Sequence, residues 1–175
     1  MGAPKAELLV GGERLVDRAV RTLRAGGCGD VLAVVRPGVA VTDARVVVNA
    51  EPDRGLHSSL QLAVGAAGEA DVVVLLLADL PGVTASGVRS VLDAWRPGRI
   101  AAATYAGRRG HPIAMAPRLW REALALSGPD EGARTLLRSR PDLVDEIAVD
   151  GDPADLDTPA DLSRWERGSG RRDVS

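Results

Sequence analysis

The chain has 175 residues, 45% hydrophobic and 26% charged, the balance of a soluble globular protein long enough for one domain. That excludes a disordered chain and a collagen-like fibre, and with Cys28 as the single cysteine it excludes a disulfide scaffold. The 22 basic and 24 acidic residues give a formal charge of −2, and no basic run exceeds a pair, so no nucleic-acid groove is expected. The longest strongly apolar run, residues 72–78, is too short to span a bilayer, and the N-terminus has no charged-then-apolar layout. A cytoplasmic protein without a membrane partner is the expectation. Arginine dominates the basic residues and phenylalanine is absent, the usage of a gene rich in G and C. Arginine abundance therefore carries little weight, whereas Lys5, the one lysine, carries more.

A helix is expected where Leu15, Val16, Ala19, Val20 and Leu23 fall at helical spacing, stopped by Gly26 and Gly27. Residues 31–35 (VLAVV) and 72–77 (VVVLLL) read as parallel strands covered on both faces, and 45–48 (RVVV) as a shorter third. Residues 56–67 form a second helix, with Ser58 or Ser59 near its start. A third holds Val88, Val91, Leu92 and Trp95, capped by Thr84 or Ser86 and stopped by Pro97. Residues 100–105 and 112–116 flank a turn-like AGRRGH, as a hairpin or as two strands bordering a site. Helices follow at 119–126 and 132–138, then a strand at 144–149 and a last helix after Thr158 and Pro159. Alternating strands and helices predict an α/β fold with a mostly parallel sheet. One domain, residues 1–166, and a disordered polar tail, 167–175, complete the organisation.

Ligands of open α/β sheets bind beyond the carboxyl ends of the strands, which selects Asp79 after the most buried run. Its carboxylate suits a hard cation such as Mg²⁺ and equally suits capping of a following helix. Asp157, in DPADLDTPADL, is a second candidate ligand, with capping the stronger reading of that motif alone. Lys5, in MGAPK, offers a compact charge for phosphate oxygens or is a solvated terminal lysine. Gly55, Ser58 and Ser59, in GLHSSL, place N–H and hydroxyl groups at a helix start, as an anion site or as ordinary capping. His111, in RRGHP, and Arg134, in GPDEGAR, are further candidates beside idle-surface and capped-turn readings. No zinc spacing, Walker loop or GxGxxG is present.

In the order MGAPK, GLHSSL, ADLP, RRGHP, GPDEGAR and DLDTPADL, these motifs resemble those of the MobA-like nucleotidyltransferases, above all the molybdenum cofactor cytidylyltransferase branch. The resemblance runs from Met1 to about Trp165. It implies a Rossmann-like, three-layer, GT-A-like domain that moves CMP or GMP from CTP or GTP to the phosphate of a molybdopterin-type acceptor, with release of pyrophosphate. It implies that Lys5 contacts the triphosphate and that Asp79 and Asp157 hold Mg²⁺. Asn49, Gly55, Ser58 and Ser59 would lie near nucleotide or acceptor, with His111 and Arg134 on the acceptor side. A molybdoenzyme or its chaperone would be the protein partner. The family's pattern opens with LAAGxGxRMG, a buried strand and phosphate cradle, and this sequence begins at the Met of that RMG. The intact later motifs lead us to expect a start assigned too late. The alternatives are guanylyl transfer to another phosphorylated acceptor and an inactive nucleotide-binding relative.

Overall fold

A computed structural model describes residues 5–128, 131–156, 161–163 and 165. After a 3₁₀ turn, Lys5–Glu7, the chain makes a hairpin of β1 (Leu9–Val10) and β2 (Glu13–Arg14). Gly11 and Gly12 form its turn at φ 59° and 81°, a geometry that side chains resist. Helix α1 (Leu15–Ala25) follows, and its apolar stripe packs Val16 and Val20 on Val31, Ala33 and Val35. Strands β3 (Leu32–Val35) and β4 (Arg45–Val48) pair in parallel, and α2 (Leu56–Ala66) comes next.

The larger sheet contains β5 (Val73–Leu75), β6 (Ile100–Tyr105), β7 (Arg108–Met115) and β8 (Val144–Ala148), in the order β5-β7-β6-β8. β7 is antiparallel to β5 and to β6, and β8 is parallel to β6. Three of these four strands thus run one way and only β7 is reversed. Strand β6 is buried along its whole length, and its small side chains reflect two covered faces. Ala101 and Ala103 lie against Val91 of α3 (Ala85–Ala94). Ile100 and Ala102 lie in the opposite cluster with Leu60 of α2, Trp120 of α4 (Pro117–Leu126) and Leu136 of α5 (Arg134–Ser139). A mixed sheet between helical layers is the expected α/β architecture.

Three local expectations change. AGRRGH is no loop: only Ala106 and Gly107 turn, both at positive φ, and Arg108 to His111 belong to β7, the hairpin alternative. Residues 72–77 form a ladder over only Val73–Leu75, and these are half-buried because among the described residues β5 has a strand on one side only. Of the two possible caps of α3, Thr84 is used, its Oγ1 accepting from the Gly87 N–H at 3.0 Å. Residues 161–163 and 165 are helical; the start of that helix and residues 167–175 lie outside the described residues.

Candidate active site

Beyond β5 the chain continues through Leu76 and Leu77 to Asp79, at the carboxyl end of the strand. The Asp79 carbonyl accepts a hydrogen bond from the Leu156 N–H at 2.9 Å, and the Gly82 carbonyl accepts from the Asp152 N–H at 3.0 Å. An antiparallel bridge between Val83 and Gly151 continues this lacing. Gly82 makes it possible, since a Cβ there would stand 2.5 Å from the Asp152 carbonyl oxygen. On the other side, Arg18 Nε donates to the Pro81 carbonyl at 3.0 Å, and its guanidinium lies 5.0 Å from the centre of the Trp165 ring. Arg18 thus ties α1 to the segment after Asp79. As one of three arginines on an amphipathic helix, it carried no signal in the sequence.

Asp157 lies outside the described residues, as does the side chain of Lys5. Their chain neighbours are informative. Leu156 is bonded to Asp79, and Ala6 lines the same cavity as Asp79, Leu56 and Ser59. Among the described residues no three His, Cys, Asp or Glu side chains gather as a metal cluster. Mg²⁺ would need no such cluster, since it takes one or two carboxylates and completes its shell with water and phosphate oxygens. Asp79, with Asp157 one residue beyond Leu156, would hold it.

The GLHSSL group is assembled as expected and has a hub. Asn49, buried at 3% exposure, donates from Nδ2 to Ser58 Oγ (2.9 Å) and Ser59 Oγ (3.0 Å). Its Oδ1 accepts from the Glu51 N–H at 2.9 Å. Gly55, at φ 83°, supplies the left-handed turn into α2, and its carbonyl accepts from Ser58 Oγ at 2.9 Å. Asn49 therefore shapes the helix start through other groups. Neither serine caps α2 by its side chain.

His111 is half-buried on β7, and its carbonyl accepts from the Tyr105 hydroxyl at 2.7 Å. Burial, reinforced by the Arg134 charge, pushes its imidazole down to about 4, so it is neutral at pH 7. Burial also lifts the Tyr105 phenol to about 12. The coupling brings together His111 and exposed Arg134, the first residue of α5. Their neighbour Gly132 packs on Leu56, whose side chain also lines the Asp79 cavity. Leu56 thus stands between the two groups of candidates.

The MobA-like NTP transferase domain pattern matches residues 1–144 of this sequence. The chain belongs to the MobA-like NTP transferase family. Nicotine blue oxidoreductase of Paenarthrobacter nicotinovorans is 33% identical over 178 residues, covering 94% of this chain and 85% of that protein. Rv0371c of Mycobacterium tuberculosis superposes with a TM-score of 0.81 at 28% identity, over 95% of this chain and 90% of its own, and has also been crystallised with manganese. The 2-C-methyl-D-erythritol 4-phosphate cytidylyltransferase of Thermus thermophilus shares the fold, with a TM-score of 0.68 at 21% identity over 95% of this chain and 94% of its own. A nucleotidyltransferase family and a nucleoside triphosphate substrate follow from this membership. Among the described residues no helix is long and apolar enough to cross a membrane.

Proposed function

We propose that this single domain, residues 1–166, is a cytoplasmic, Mg²⁺-dependent nucleotidyltransferase that moves CMP or GMP from CTP or GTP to the phosphate of a molybdopterin-type acceptor. The observation that supports this reading is the Leu156–Asp79 hydrogen bond, which holds Leu156, the residue before Asp157 in sequence, at the mouth of β5. An acceptor phosphate oxygen bonds to the α-phosphorus, the α–β bridging bond breaks, and its electron pair leaves with pyrophosphate. No protein nucleophile is needed, so positioning and charge neutralisation supply the rate. Lys5 would contact the triphosphate, and Asp79 and Asp157 would hold the cation. Bound there, Mg²⁺ neutralises charge on the phosphates. Asn49, Gly55, Ser58 and Ser59 shape the ligand side of α2. Arg134 meets an acceptor anion, with neutral His111 beside it as a hydrogen-bonding partner. The product would pass to a molybdoenzyme or its chaperone.

The test is pyrophosphate release with each of the four nucleoside triphosphates and molybdopterin, with and without Mg²⁺. Turnover that needs Mg²⁺ and prefers one base supports the reading. Thermal unfolding provides a second readout, since a ligand at about 100 times its dissociation constant adds about 2.7 kcal/mol. Asp79→Asn is expected to lower turnover by about 10²–10³ while Tm stays nearly unchanged; near-normal rate with Mg²⁺ would remove Asp79 from the site. A second reading follows from the relative named nicotine blue oxidoreductase. On it the chain would change the oxidation state of nicotine blue, followed by its colour, when an electron donor or acceptor is supplied, and no pyrophosphate would appear.

A further inference from the structure

Strand β7 loses register with β6 at the residues that hold His111. Ala102 pairs with Ile113 and Thr104 with Arg109, so Ala103 alone faces Gly110, His111 and Pro112. The extra residues on β7 make a bulge, a device that bends a strand and re-aims its side chains. The residue types suit it. Gly110 has no side chain to place, and Pro112 has no N–H to give to a ladder. A bulge also takes backbone groups away from their ladder partners. Here the His111 carbonyl accepts from the Tyr105 hydroxyl at 2.7 Å, a side-chain bond standing in for a ladder bond.

Tyr105 ends β6 and is 6% exposed. Backbone closes on both edges of its ring. A Cβ on Gly110 would stand 3.2 Å from Tyr105 Cε2, and one on Gly151 would stand 3.5 Å from Cε1. The same Cβ on Gly110 would stand 3.6 Å from Pro153 Cβ, so the bulge also packs on the segment after Gly151. Gly151 is bridged to Val83, and Asp152 and Leu156 are bonded to Gly82 and Asp79. The Tyr105 ring therefore stands where the bulge meets the lacing around Asp79. We propose that Tyr105 is a positioning residue of the active site, its hydroxyl fixing the β7 bulge so that His111 is held in one place relative to Arg134 and to the segment that meets Asp79. The link to the acceptor rests on the role given above to His111, whereas the positioning rests on the bulge alone. Burial lifts the phenol to about 12, so the hydroxyl keeps its proton and remains a donor at neutral pH.

The test is Tyr105→Phe, which keeps the ring between Gly110 and Gly151 and removes only the hydroxyl, so the chain should fold. The His111 imidazole is titrated by NMR in the free protein, with His111→Gln to tell its signal from that of His57, the other histidine. Burial, with the Arg134 charge, holds the parent imidazole at about 4. In Tyr105→Phe the loosened bulge admits water, and the proton affinity of His111 should rise by about tenfold. In turnover, KM for molybdopterin should rise by about tenfold while KM for the nucleoside triphosphate stays within about twofold. An unchanged His111 titration in Tyr105→Phe would overturn the positioning role. So would equal losses toward molybdopterin and nucleotide, which would make Tyr105 a general support of the fold. The titration needs no substrate. A raised His111 value in a chain that never turns over molybdopterin would therefore support the positioning role and count against the proposed reaction, so the two can fail separately.

Discussion

Asn49 is buried, and the three hydrogen bonds of its side-chain amide are directed at the entry to α2. Asn49→Ala would leave the Glu51 N–H and two serine hydroxyls short of a partner, a loss of about 1–3 kcal/mol. A fall in Tm of several degrees is expected by calorimetry, with a weaker response of Tm to nucleotide because the helix start loosens. His111 makes a different prediction. Its folded value, about 4, lies below the ordinary 6.5, so between those values the unfolded chain binds the extra proton. Stability from the neutral imidazole is complete above about pH 6.5 and is lost as pH falls toward 4. Tm should fall through that window, and His111→Gln should blunt the fall; an identical pH profile in the variant would remove His111 as its cause. The residue types at these positions were legible in the sequence. Their roles were not: Asn49 was picked out beside a ligand, and its place as the hub of α2 depends on burial and on partners that only the fold supplies.

The segments 79–83 and 151–156 hold the candidate site together, and Gly82 sets their spacing. Gly82→Ala would force a Cβ into the Asp152 backbone, which has no flexible side-chain end to yield. We expect Tm to drop and Mg²⁺-dependent nucleotide binding to weaken together, because the Asp152 and Leu156 contacts share that approach. A variant with normal Tm and normal binding would show that the lacing does not position the site. Helices α1 to α4 were readable because their apolar residues recur at helical spacing, and β3, β4 and β6 because their runs are short and apolar or β-branched. Other elements resisted. The hairpin at Gly11 and Gly12 carries the two-glycine signal of a tight turn yet had no expectation attached, its strands being only two residues each. Arg108 to His111 read as a loop because they are polar and hold a glycine. They form a strand because β6 offers them a partner, with Tyr105 paired to Arg108 and Thr104 to Arg109.

The two sheets differ in support. Strand β6 is central and wholly buried, whereas three of the four β4 residues are exposed. Native-state hydrogen exchange in rising denaturant should show β3 and β4 opening at lower free energy than β6 and β7; a single global opening for both would contradict this separation. Periodicity by itself determined that the chain is an α/β protein, and the order of its motifs carried the resemblance to the MobA-like family. Those properties are local, because each is written in neighbouring residues. Tertiary structure alone decided that Leu156 meets Asp79, that His111 is half-buried under the influence of the Arg134 charge, and that Leu32 of β3 and Leu75 of β5 line one cavity. Each of these joins residues distant in the chain, and such contacts depend on how whole elements pack, which no local pattern encodes.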